Sequence, residues 1–310
     1  MNNAGAVNPA PAYARGQEPR HQPRWLRALL EVVLILGLWV LYSLARLLAD
    51  TNMGPALHRA NELLHLEELM GIRWEVPLNQ AFTDHRVLGL AGSYWYASLH
   101  YVVTAGVLVW LWRLGADRYG PARRALVIGT LLGLLAYISM PTAPPRFIAG
   151  YVDVLSLHSA DGWWGADASA PRGLGGMTNE LAAFPSLHAG WSLWVALALQ
   201  LYATRYWVRA LGWIYALGTA VVIVGTGNHW VIDALVGWVV ILVGWALAEA
   251  LGKIPLHRLL PFGSARPEPV TPAPPPAAAA PAPRSIAAPA ATSDSTPQPH
   301  GAGGPTITSS

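Results

Sequence analysis

Phe184-Pro185-Ser186-Leu187-His188 stands where a glycine-rich connection gives way to a long apolar run. Two further stretches answer it. Pro144-Pro145-Arg146 closes the apolar run before it, and Gly227-Asn228-His229-Trp230-Val231-Ile232-Asp233 opens the last one. Together they supply two imidazoles, a carboxylate and a guanidinium, each at the edge of a segment that is otherwise apolar.

Six runs approach the ~20 apolar residues that a helix needs to cross a bilayer: residues 26–49, 89–112, 123–141, 188–204, 207–226 and 230–251. Composition agrees. Of 310 residues, 53% are hydrophobic and only 12% charged, the mean hydropathy is +0.34, and 15 are tryptophan, a balance foreign to soluble domains. The expected fold is an all-α, polytopic membrane helix bundle with six transmembrane helices over residues 25–260. No cleavable signal peptide is expected, because the first run is long enough to span and no small-residue cleavage site follows it. Cysteine is absent, which excludes disulfides, thiolate metal sites and cysteine nucleophiles.

A net charge of +3 and a pI near 9.3 do not mark a nucleic-acid-binding protein, because the arginines are spread through short connections instead of gathered on one face. They read as topology signals. With the N-terminus inside, the inner set holds Arg15, Arg20, Arg24, Arg27, Arg113, Arg118, Arg123, Arg124, Arg205, Arg209, Lys253, Arg258 and Arg266. The outer set is smaller: Arg59, Arg73, Arg86, Arg146 and Arg172. This arrangement makes both termini cytoplasmic in a multi-pass protein of the cell membrane. The third run then ends outside with Arg146, and the fourth and sixth begin outside with His188 and His229. All three motifs meet at the extracytoplasmic face, a coincidence that the charge pattern did not require.

The connecting segments divide by composition. Residues 1–24 and 261–310 are rich in Pro and Ala and poor in large apolar side chains, as expected of disordered tails. Residues 55–80 mix leucines with charges at helical spacing and predict an amphipathic helix on the outer surface, or a solvent-exposed linker helix. Residues 148–183 carry Trp163-Trp164 and Arg172-Gly173-Leu174-Gly175-Gly176. Interfacial tryptophans anchor and glycines bend, so this stretch reads either as a lid over the site or as a passive outer loop.

An ionisable side chain at membrane depth is costly and asks for a reason. His229 and Asp233 are four apart, which puts them one turn apart on one helical face. The carboxylate can hold one ring nitrogen as N–H and leave the lone pair of the other for nucleophilic attack or proton abstraction. A structural contact inside the bundle is the competing account. His188 opens a helix, whose first turn offers free N–H groups and the positive end of the dipole, a ready phosphate site. Arg146 adds a permanently charged planar fork suited to phosphate oxygens. With a second imidazole to protonate a leaving oxygen, the set satisfies phosphoryl transfer through a phosphohistidine, with no metal or other cofactor required.

These motifs resemble those of the type 2 phosphatidic acid phosphatase superfamily, membrane lipid phosphatases and phosphotransferases with soluble haloperoxidase relatives. The family pattern is an arginine motif, a Pro-Ser-x-His motif and a His-xxx-Asp motif, in that order, and the resemblance covers residues 85–250. It implies that His229 is the nucleophile, Asp233 its orienting partner, His188 the acid for the leaving group, and Arg146 with Ser186 the phosphate ligands. Other candidates for the site are His100 in the second run, Arg172 in the outer connection and Asn228 beside His229. His100 reads equally as a hydrogen-bonded structural histidine, and Arg172 as an ordinary surface arginine.

The departures from the pattern are informative. The phosphatases have a lysine seven residues before the arginine, where this chain has Ser139, and Ser-Arg where it has Val222-Ile223. The usual glycine before the second-motif histidine is Leu187. Pro141-Thr142-Ala143-Pro144-Pro145-Arg146-Phe147 and Gly227-Asn228-His229 are similar instead to the inositol phosphorylceramide synthase branch and its bacterial relatives. Those inositolphosphotransferases move a phosphorylated head group to a lipid alcohol. The resemblance therefore implies a phospholipid or lipid-phosphate substrate and a lipid alcohol acceptor. Hydrolysis of phosphatidate or a polyprenyl diphosphate, a metal-dependent hydrolase using His188, His229 and Asp233 as ligands, and a catalytically inactive membrane scaffold are the alternatives.

Overall fold

The computed structural model describes residues 24–48, 52–165, 168–171, 180–181 and 183–253. The tails expected over residues 1–24 and 261–310 lie outside this set, save that Arg24 begins the first helix, and Arg172 lies outside it as well.

Among the described residues the fold is all-helical apart from one short antiparallel pair. In chain order the elements are α1 (Arg24–Leu48), α2 (Met53–Met70), α3 (Glu75–Asp84) and α4 (Arg86–Tyr94), followed by a π-helical turn (Trp95–Leu99) that runs straight into α5 (His100–Leu114). Next come α6 (Ala116–Ser139), a 3₁₀ turn (Pro145–Phe147), α7 (Val154–Leu157), β1 (Trp164–Gly165) and β2 (Ala168–Pro171). The last described elements are α8 (Leu187–Tyr202), α9 (Tyr206–Gly225) and α10 (Val231–Lys253).

Among the described residues four helical rods are long and apolar enough to cross a membrane: Arg86–Leu114, Ala116–Ser139, Tyr206–Gly225 and Val231–Lys253. These match four of the six expected runs. The run over 188–204 is helical, but α8 has 16 residues, about 24 Å at 1.5 Å per residue, against a hydrocarbon core of ~30 Å. It starts inside the protein, with Ser186 and Ala189 fully buried. The first run is the 25-residue α1, whose shorter apolar stretch is Ala28–Leu38. Charge interrupts it: Glu31 accepts from Tyr119 Oη at 2.9 Å and pairs with Arg123, both on α6.

The core sits where α10 packs along α6 and α8, and α8 along α9. Indole N–H groups fasten the layers. Trp194 of α8 donates to the Ala122 carbonyl at 2.8 Å, Trp191 to Thr130 Oγ1 at 3.0 Å, and Trp95 to Thr219 Oγ1 at 3.0 Å. Each of these donors is satisfied where an unpaired one would be costly.

Two expectations about the connections need correction. Residues 55–80 are two helices, because Gly71 takes a left-handed backbone (φ 68°) that ends α2 and the chain restarts at Glu75. Neither is a plain surface helix, since Ala56, Ala60, Glu67, Glu75 and Asn79 are buried. Trp163 and Trp164 are not a matched interfacial pair either. Trp164 is fully buried, with its N–H donating to the Leu155 carbonyl at 2.8 Å, whereas Trp163 stays half exposed.

Candidate active site

Arg146 owes its position to the turn after α6. The Thr142 amide donates to the Leu181 carbonyl (2.9 Å) and the Ala183 amide returns a bond to Thr142 (3.3 Å), so the segments leading to Arg146 and to Ser186 are stitched together. Pro144 and Pro145, with their fixed φ, start the 3₁₀ turn. The Arg146 amide then donates to the Gly227 carbonyl at 3.0 Å. Gly227 has φ 75°, and a Cβ there would lie 2.7 Å from the Val152 carbonyl oxygen, so only glycine fits. The guanidinium donates from Nη1 to Asn228 Oδ1 at 2.5 Å, and its Nε lies 3.4 Å from Asp153 Oδ2.

Ser186 caps α8: its Oγ accepts from the Ala189 amide at 3.3 Å, as small oxygen-bearing residues do at helix starts. His188 sits in that first turn. Its ring stacks on Tyr96 with centroids 4.3 Å apart, meets His100 edge-on at 4.1 Å and faces His229 at 5.6 Å.

His229 and Asp233 form the contact that their spacing implied. Nδ1 of His229 lies 2.8 Å from the Ala183 carbonyl and 3.3 Å from Asp233 Oδ2. A carbonyl can only accept, so Nδ1 carries the hydrogen and Nε2 the lone pair. Nε2 is buried and bonds no protein group among the described residues. Burial pushes the imidazole down to about 3, and the nearby Arg146 charge pushes the same way, so it is neutral at physiological pH. Asp233 Oδ2 also accepts from the Trp230 amide at 2.8 Å.

The structure therefore brings Arg146, Ser186, His188, Asn228, His229 and Asp233 to one end of the bundle, and His100 against His188. Asp153, to which the sequence assigned no role, turns out to flank Arg146; His158 lies apart, 3.9 Å from Asp161. Among the described residues no three His, Asp or Glu side chains converge as a metal-ligand set.

Several contributors escaped the sequence reading. The sequence assigned Tyr96 no role, yet the π turn swings it onto His188, and such wide turns recur at functional sites. Its position four residues before His100 was the available signal. Asn79 bonds Val152 through both amide atoms (2.9 and 2.8 Å) and also the Gly225 carbonyl (3.0 Å). It thereby fixes the turn that carries Asn228 and His229. Glu67 and Glu75 reach the amides of Ile232 and Val231, contacts invisible to any local pattern.

Compared with known proteins, residues 61–247 match a family model described as the PAP2 superfamily. No curated protein and no solved structure matches the chain.

Proposed function

Because this chain belongs to the PAP2 superfamily, whose members are phosphatases and phosphotransferases of lipid phosphates, we propose that it transfers a phosphorylated head group between lipids through a phosphohistidine on His229. The observation that carries this reading is the tautomer: Ala183 and Asp233 hold Nδ1–H, and the Nε2 lone pair is left for phosphorus.

Nε2 attacks phosphorus as the bond from phosphorus to the lipid-alcohol oxygen breaks, and protonated His188 supplies a hydrogen to that oxygen. Arg146 and the amides at the start of α8 bind the equatorial oxygens. An incoming lipid alcohol then gives its hydroxyl proton to the now neutral His188 and attacks phosphorus, breaking the P–N bond and restoring His229. No step calls for a metal or other cofactor. Water as second nucleophile would give hydrolysis by the same route. Transfer is favoured by the Gly227-Asn228-His229 sequence of the inositolphosphotransferase-like branch, where Asn228 holds Arg146.

The remaining assignments belong to the same proposal. Residues 25–260 are the catalytic domain with six spans, counting α1 and α8. Both termini are cytoplasmic, and the site faces the outer leaflet of the cell membrane.

The test is a product assay on purified protein in lipid, with phosphatidate and phosphatidylinositol offered separately, with and without a lipid alcohol. A new phospholipid that appears only with the acceptor, and vanishes in His229→Ala, is the expected result. Free phosphate without acceptor would instead mean a phosphatase, and turnover surviving His229→Ala would sink the mechanism. Activity lost to a chelator and restored by zinc would return the metal-dependent reading.

A further inference from the structure

Three consecutive amides at the start of α10 are each satisfied by a different carboxyl group. Trp230 N–H donates to Asp233 Oδ2 (2.8 Å), Val231 N–H to Glu75 Oε1 (2.9 Å) and Ile232 N–H to Glu67 Oε1 (2.8 Å). Helix N-termini are usually capped from the adjacent sequence. Here two of the three caps come from α2 and α3, more than 150 residues away, and both glutamates have no exposed surface.

The second oxygens of this pair pose a problem of charge. Oε2 of Glu67 and Oε2 of Glu75 are buried, and neither finds an amide, hydroxyl or cation among the described residues. The two carboxyl groups nonetheless lie within hydrogen-bonding reach of each other. Two buried carboxylates side by side repel strongly, whereas one proton between them turns the repulsion into a hydrogen bond. Arg73, the nearest cation of the connection between α2 and α3, is already paired with Glu68 at 2.7 Å.

We infer that Glu67 and Glu75 share a proton and form a carboxyl clamp that positions the His229-Asp233 dyad by holding the first turn of α10. The inference rests on His229 being the nucleophile. The clamped amides, at 231 and 232, lie between the two members of the dyad, so a shift of that turn displaces both. Glu67 and Glu75 are positioning residues, since they touch the α10 backbone and not the phosphate. The groups facing Glu67 are Glu75 from α3, Asp233 from α10 and Tyr151 from the connection after the 3₁₀ turn. Burial, with Glu75 adding to it, holds the Glu67 carboxyl up at about 9, so the proton stays through the neutral range.

The experiment uses the full chain in lipid, wild type beside Glu67→Gln, Glu67→Ala and Glu75→Gln. Infrared spectra with labelled glutamate read the protonated carboxyl directly. Wild type is expected to show it at neutral pH and lose it near pH 9, and Glu67→Gln to lack it. A glutamine amide can donate to Glu75 and accept from Ile232, so Glu67→Gln retains kcat and loses the alkaline fall in rate. Glu67→Ala lowers kcat roughly tenfold to a hundredfold with little change in KM, the cost of a small misplacement of reacting groups. Absence of a protonated carboxyl in wild type overturns the clamp, as does an alkaline limb unchanged in Glu67→Gln. The infrared reading needs no turnover. Inactivity of wild type on lipid phosphates would therefore strike the proposed function and leave the shared proton still decided.

Discussion

The backbone N–H of Ser186 donates to the carbonyl oxygen of Asp233 across 3.0 Å, tying the helix that presents His188 to the helix that presents the dyad. Gly237, one turn further along α10, makes that approach feasible. A Cβ at 237 would overlap the Ser186 carbonyl oxygen and lie 3.1 Å from its carbon, against backbone that cannot swing aside. Gly237→Ala should therefore separate the two helices at their reactive ends. Overpacking of this kind costs about 1–3 kcal/mol, and the check is a lower unfolding temperature together with a fall in kcat.

Asp233→Asn separates two jobs. In triads where one carboxylate alone sets the tautomer, the same change costs about 10⁴-fold in kcat. Here the Ala183 carbonyl is the nearer partner of Nδ1, at 2.8 Å against 3.3 Å. The tautomer should therefore survive the substitution. The expected fall is smaller than that ~10⁴-fold and well short of the complete loss in His229→Ala. Single-turnover rates on the two variants give the comparison.

The nucleophile and its carboxyl partner were legible because their contact is local. A spacing of four brings two side chains within reach around a helix start, and His229, two residues before α10, does meet Asp233 in its first turn. Arg146 was legible by type, a lone guanidinium at the end of an apolar run. The clamp was not, because Glu67 and Glu75 look like ordinary charges of a surface helix until α2 and α3 fold onto α10. Tyr96 could not be placed either, since an aromatic near a membrane edge suits the interface and the site equally well. The exact end of α8 was not legible for a related reason. The expected run reached 204, but the helix ends at Tyr202 and its opening turn is spent on the site.

Asn228→Asp tests whether Arg146 is the phosphate ligand. The Asn228 side chain holds the guanidinium through a neutral oxygen at 2.5 Å. A carboxylate in that place forms a charged pair that competes with phosphate for the same donors. KM for the anionic lipid should rise about tenfold or more, for a loss near 1.4 kcal/mol, with kcat less affected. Arg146→Lys, which lacks the planar fork, should raise KM as well. A KM unmoved in both variants would place the phosphate elsewhere.

Stability against pH should show two opposed slopes near the site. His229 is depressed on folding, from 6.5 to about 3, by burial. Between those values the unfolded chain binds the proton and the folded one does not, so stability falls as pH drops from about 6.5 toward 3. Glu67 runs the other way. Its folded value is raised from 4.5 to about 9, so the folded chain keeps a proton that the unfolded chain gives up. Stability is then full below about 4.5 and declines as pH climbs toward 9. Unfolding temperatures measured across this range should describe a dome. Glu67→Gln should lessen the slope of its alkaline side and leave the acid side intact, whereas His229→Gln should lessen the acid slope alone. A mutant that moved both limbs together would show that the two titrations are coupled through the first turn of α10, where the Glu67 and Glu75 bonds lie between the two members of the dyad.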